Sequence, residues 1–168
     1  MVLLLARSFV FNFASASLPG GIYLLHPPGQ PRPHLLLFCL PPSLAAFGRS
    51  RGYLGPGTCP GWTAAVLKPV AAIEGDLVEI GPWGVRINGH LIPNSAPRSH
   101  DRNGRPLHQA HPSSFTVPPG QFLPLSSFTA DSWDGRYWGP LPLSGVRAAA
   151  TPLFLDEPLP PLELPARP

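Results

Sequence analysis

The chain has 168 residues and a net charge of +3 from twelve basic and nine acidic side chains, and its charged share of 12% is about half the usual one. That length holds one domain of ordinary size, and basic residues scattered without a Lys/Arg block argue against nucleic acid as a partner. The 26 prolines argue against a helical protein; with 43% hydrophobic residues for a core, they point to a mostly β fold of short strands and long Pro/Gly-rich loops.

In chain order, Met1–Phe13 is apolar apart from Arg7, Ser8 and Asn12. A spanning helix needs about 20 apolar residues, so this segment reads as a signal-peptide-like core or the remnant of a membrane anchor. The main domain is expected over 14–154. Leu18-Pro19-Gly20-Gly21 is a turn signal, Ile22–Leu25 a brief strand, His26–His34 a loop and Leu35–Leu40 a buried strand. Pro41–Pro60 reads as irregular, with a helical turn near Ser43–Phe47. Thr63–Ile73 and Leu77–Ile80 are expected strands on either side of a turn at Glu74-Gly75-Asp76. Val85-Arg86-Ile87 and His90-Leu91-Ile92 flank Asn88-Gly89, a strong hairpin signal. Ser95–Ser114 reads as a polar surface excursion. Phe115–Val117 and Gln121–Leu125 are strands, and Tyr137–Leu143 and Val146–Phe154 are expected as the last strand pair. The acidic, proline-rich 155–168 reads as a loose tail.

The two cysteines, Cys39 and Cys59, have no metal-ligand spacing. They either pair in an oxidising compartment or stay as free thiols, and the sequence leaves both open. Histidines 100, 108 and 111 share one polar loop and read as solvated groups, so neither a metal nor another cofactor is expected. Trp62, Trp83, Trp133 and Trp138 read as core or turn packing.

Three segments carry candidate chemistry. Ser15-Ala16-Ser17-Leu18-Pro19 places a serine just before a proline turn, beside small residues that leave room for a peptide backbone. Lys68, the chain's one lysine against eleven arginines, lies in Val66-Leu67-Lys68-Pro69-Val70-Ala71-Ala72. Arginine keeps its proton in proteins, whereas a desolvated lysine amine can lose it near neutral pH and act as a base toward a serine. Codon bias accounts equally well for the scarcity of lysine. The third segment is Asp131–Gly139. Ser132 can bond and orient a lysine amine there, and Asp134 and Arg136 can pair, which on a surface is worth little.

In this order the segments resemble the type I signal peptidases, most closely their TraF-type branch from conjugative transfer systems, over about Asn12 to Phe154. Asn12–Tyr23 matches the Ser-x-Ser-hydrophobic-Pro box, Val66–Ala72 with Gly75-Asp76 the lysine box, and Ser132–Gly139 the third box, with Gly135 where a small polar residue is usual. The resemblance implies a signal-peptidase/LexA-like β fold. It makes Ser17 the nucleophile and Lys68 the general base. Ser15 would support the oxyanion hole, Ser132 would orient the lysine, and Asp134 with Arg136 would form a supporting ion pair. The expected function is a membrane-associated serine endopeptidase. It would act on protein or peptide precursors, pre-pilin-like with small residues at the scissile site, at the bacterial inner membrane with its domain in the periplasm. Attack on the acyl-enzyme by a substrate amine in place of water would give a cyclic or ligated product.

The alternative is a catalytically inactive β-domain serving as a binding or scaffold module of the same apparatus. A LexA-like self-cleaving repressor shares the Ser/Lys logic but needs a DNA-binding helix-turn-helix, for which the residues before Ser17 leave no room.

Overall fold

The structure is a computed structural model and describes residues 9–12, 15, 17–28 and 35–160. Its elements in chain order are β1 (Phe9–Asn12), β2 (Gly21–His26), β3 (Leu35–Phe38), α1 (Pro42–Ser50), β4 (Pro56–Cys59), β5 (Val66–Ile73), β6 (Leu77–Gly81), β7 (Gly84–Ile87), β8 (His90–Leu91), β9 (Ser114–Thr116), β10 (Gln121–Pro124), α2 (Gly135–Trp138), β11 (Leu141–Pro142) and β12 (Val146–Leu155). A seven-stranded sheet has the order β1-β2-β12-β3-β5-β10-β11, and a four-stranded sheet has the order β8-β7-β6-β9. The fold is mostly β, as the proline and glycine content requires.

β5 lies inside the large sheet, between β3 and β10. Its run Pro69–Ala72 is buried on both faces, so it reads as continuous hydrophobics and not as alternation. Leu36, Phe38, Val70, Phe122 and Trp138 form one core cluster. Ala71 and Ala72 belong to a second, with Val78, Ile80, Val85 and Ile87 of the small sheet. One strand thus backs both cores, which holds anything it carries in a fixed place. The β7–β8 hairpin turns on Asn88-Gly89 as expected, with Asn88 at φ 49° and Gly89 at φ 84°. Positive φ at both turn positions is what makes Asn-Gly the favoured pair there.

Three expectations change. Tyr137–Leu143 is not a strand: α2 takes Gly135–Trp138, and only Leu141–Pro142 pairs, with β10. Asp134 caps α2 by accepting from the Arg136 amide, and Gly139 at φ 75° ends it. Both are ordinary helix-end residues, but four residues are too few for the periodic signal that reveals a helix. Pro41–Pro60 is not irregular either, holding a nine-residue helix and β4. Within Met1–Phe13, Phe9–Asn12 form an edge strand paired with β2; the rest of that segment lies outside the described residues. Leu155 closes β12 and the Asp156 amide donates to Gly20 O at 3.0 Å, while 161–168 lie outside the described residues.

Cys39 and Cys59 are joined in a disulfide, linking the end of β3 to β4 across a sequence separation of 20. Closing a loop of that size stabilises by about 3 kcal/mol, chiefly through the unfolded chain. Trp62, in the turn after β4, is 79% exposed at φ 58°, so it is a surface turn residue and not core. Trp133 and Trp138 pack edge-to-face at 4.8 Å.

Candidate active site

Ser17 follows β1 in the connection to β2, and the backbone around it is tied down. Asn12 Nδ2 donates to Leu18 O and Pro19 O at 3.0 Å each, and Asn12 Oδ1 accepts from the Ser15 amide at 3.2 Å. The buried Tyr23 hydroxyl donates to Pro19 O at 2.8 Å, and Ser126 Oγ donates to Ser17 O at 2.5 Å. Asn12, Tyr23 and Ser126 were not singled out from the sequence. Asn12 offered a signal, as a polar residue inside an apolar run; Ser126 offered none, because its role depends on a contact 109 positions away.

Lys68 sits on β5 opposite Leu36 and is 4% exposed. Its Nζ donates to Ser132 Oγ at 2.8 Å, and Ser132 Oγ donates to Ser17 Oγ at 3.3 Å. Three side chains named from distant parts of the sequence therefore meet in one hydrogen-bonded path. Burial lowers the Lys68 pKa from its ordinary 10.5 to about 8; Asp134 opposes the shift and Arg136 adds to it.

Ser15 stands beside this path, with the Ser17 amide donating to Ser15 Oγ at 3.3 Å. The Ser17 N–H thus points at the Ser15 hydroxyl oxygen, which sets two groups able to donate side by side next to Ser17.

Asp134 and Arg136 form the expected pair, Arg136 Nε to Asp134 Oδ1 at 2.8 Å, but not on the surface: both side chains are 0% exposed. The Arg136 guanidinium uses all its donors. Nη1 bonds Asn94 O and Ala130 O, Nη2 bonds Ser126 O and Asp134 Oδ2, and Nε completes the set. Asp134 Oδ2 also accepts from the Ser126 amide at 3.0 Å. The pair therefore fixes Ser126, which holds the Ser17 carbonyl. It also begins two residues after Ser132, which holds Lys68. Gly135 between them packs closely, since a Cβ there would lie 2.4 Å from Pro124 O. The departure from a small polar residue fits a tight turn and not a loosened one.

The site opens into a cleft of about 670 Å³. Its lining includes the apolar Leu18, Leu37, Val66 and Leu67, the aromatic Tyr53 and Trp133, and a group of charged residues. Among the described residues no cluster of three or more His, Cys, Asp or Glu has the makings of a metal site.

Residues 5–154 match the family model described as signal peptidase, peptidase S26. The plasmid transfer protein TraF of Escherichia coli is 37% identical over 140 residues, 82% of this chain and 78% of that protein. The conjugal transfer protein TraF of Agrobacterium fabrum (strain C58 / ATCC 33970) is 43% identical over 125 residues, 73% and 69% of the two. That of Agrobacterium tumefaciens (strain 15955) is 38% identical over 168 residues, 91% and 93%. A crystal structure of a signal peptidase I from Enterococcus faecalis V583 is 20% identical with a TM-score of 0.42, covering 75% of this chain and all of that one.

Proposed function

The chain belongs to the signal peptidase S26 family, and from that premise we propose that it is a serine endopeptidase with Ser17 as nucleophile and Lys68 as general base. The observation that carries this is the path Lys68 Nζ–Ser132 Oγ–Ser17 Oγ, with a buried amine whose pKa is lowered to about 8. A neutral amine accepts a proton, and hydroxyl hydrogens rotate. Once Lys68 is neutral, the two hydrogen bonds can therefore run from Ser17 toward Lys68.

Ser17 Oγ then attacks the scissile carbonyl, and its proton ends on Lys68. The developing oxyanion takes over the Ser17 N–H and accepts from the Ser15 hydroxyl, which must turn toward it. As the C–N bond breaks, the Lys68 ammonium returns a proton to the leaving amine. Water, deprotonated by Lys68, hydrolyses the acyl-enzyme; a substrate amine in the same position gives a ligated or cyclic peptide instead. The apolar residues among the cleft walls suit small side chains at the scissile site.

The test is a pre-pilin-like peptide with an Ala-x-Ala site, its products identified by mass spectrometry. Ser17→Ala should lower the cleavage rate by about four orders of magnitude. Undiminished cleavage by the purified variant would remove Ser17 from the reaction.

The TraF names of the relatives support a conjugative transfer or secretion setting, with exported precursors as substrates. We place the domain at the bacterial inner membrane, facing the periplasm. Two observations support this. The Cys39–Cys59 disulfide belongs to an oxidising compartment. Phe11 on the edge strand β1 and Phe154 on β12 are both paired with Ile22 and therefore on one face, exposed by 63% and 67%. No helix among the described residues is long and apolar enough to cross a membrane. Thiol labelling of denatured protein from intact cells should find both cysteines blocked; quantitative labelling would contradict a periplasmic domain.

A further inference from the structure

The cleft has a second, charged wall that the peptidase chemistry does not use. Arg51, Arg98, Arg102 and Arg105 line it with Asp101 and Asp131, so four guanidiniums stand against two carboxylates. Asp101 is already saturated. It accepts from Arg105 Nε at 2.7 Å, the Tyr53 hydroxyl at 2.5 Å, and the amides of Asn103 and Arg105 at 2.9 Å each. Burial works against its charge, but these hydrogen bonds outweigh it and hold the carboxyl well below the usual range. Arg51 gains little from it. Arg51 Nη1 is 3.7 Å from Asp101 Oδ2, too far for a hydrogen bond, and is buried with no hydrogen-bond partner among the described residues.

Asp131 takes Arg98 Nη1 at 2.9 Å and Arg102 Nη2 at 2.7 Å, with Arg102 Nε at 2.8 Å. These two arginine side chains remain 54% and 65% exposed. Two guanidiniums carry about ten N–H donors against about four lone-pair sites on one carboxylate, so most of the donors remain for a ligand or water. Arg51 Nη2 donates to Pro106 O at 3.3 Å and its guanidinium lies over the Phe47 ring, so Nη1 is the part of it that lacks a hydrogen-bond partner among the described residues.

The wall starts next to the reacting groups. Asp131 precedes Ser132, whose hydroxyl touches both Lys68 and Ser17. Arg98 and Arg102 bond Asp131, whose neighbour Ser132 bonds Ser17, so the wall lies within a few residues of extended peptide, at ~3.3 Å each, of the nucleophile. We propose that this wall is a subsite for a carboxylate of the substrate, two to four residues from the scissile bond. The planar guanidinium fork suits that group in particular. Its source is either an acidic side chain or a C-terminal carboxylate. The proposal rests on the peptidase reading, and it adds a charged specificity element to the cleft.

The experiment uses the full chain carrying Ser17→Ala, so that peptides bind uncut, with affinities from calorimetry. Peptides with Glu or Gln at each position two to four residues from the scissile bond, on either side, are compared at low and high salt. At one position the Glu peptide should bind about tenfold tighter, with an advantage that shrinks in salt. The advantage should vanish in Arg98→Gln/Arg102→Gln and persist in part in the Lys/Lys counterpart. A preference for free acid over C-terminal amide, with no Glu effect, assigns the subsite to a terminal carboxylate. Equal affinity across every pair overturns the proposal with no variant required. The unsubstituted chain is assayed for cleavage of the same peptides: a Glu preference in binding with no cleavage by that chain would sink the peptidase reading and keep the subsite, and cleavage indifferent to charge would do the reverse.

Discussion

Lys68→Arg should abolish peptide cleavage as completely as Lys68→Ala, each by about four orders of magnitude or more in kcat/KM. The reason is protonation and not size. A guanidinium placed beside Ser132 keeps its proton at every pH the fold survives, so it can hold the hydroxyls but cannot receive Ser17's proton. The wild-type amine, lowered to about 8 by burial, is neutral in about one molecule in ten at pH 7. The rate should therefore rise about tenfold between pH 7 and pH 9 and then level off. A pH–rate profile flat over that interval, or an active Lys68→Arg enzyme, would end the general-base role.

The same shift has a stability consequence of fixed sign. The folded-state value of about 8 lies below the ordinary 10.5, so between those values the unfolded chain holds more protons. Stability then rises with pH across that window. Below pH 8 the full penalty of burying the ammonium applies, about 3 kcal/mol. Lys68→Met should be inactive and more stable at pH 7 by up to that amount, read from denaturant unfolding midpoints. The lysine is kept at a cost to the fold, a pattern expected of a functional group and not of a packing residue.

What the sequence disclosed follows from the range of the interactions involved. The apolar flank of Lys68 made β5 a buried strand, and Asn88-Gly89 made its hairpin, because both depend on neighbouring residues. α2 stayed hidden because a helix of four residues has no period. Its Asp134 cap and Gly139 stop were readable individually. The meeting of Ser17, Lys68 and Ser132 joins positions 64 and 115 residues apart. No spacing rule reaches that far, and only the order of the three boxes suggested it. The Asp134–Arg136 pair was legible as a pair, but its burial was not. Its burial is decided by carbonyls of Asn94 and Ser126 that the local sequence does not show. The Arg51–Asp101 wall was missed for the same reason, its partners lying in separate loops.

That buried pair carries the second large effect. Asp134→Ala should cost about 3–5 kcal/mol of stability, because it strands a guanidinium that is 0% exposed. It also frees the Ser126 amide, and with it the hydroxyl that holds the Ser17 carbonyl, so activity should fall in whatever fraction stays folded. Arg136→Met separates the electrostatic role from the architectural one. Asp134 raises the Lys68 pKa and Arg136 lowers it, so the two charges act on the amine in opposite directions. Removing the arginine leaves the carboxylate alone beside Lys68 and should move the rise of the pH–rate profile upward. Asp134→Asn, which keeps the shape and drops the charge, should move it downward. A pair that merely braced the turn would lower stability in all three variants and leave the profile at about 8. Opposite displacements in the two single-charge variants are what a pair tuning the lysine requires, and an unfolding midpoint unchanged in Asp134→Ala would count against both roles.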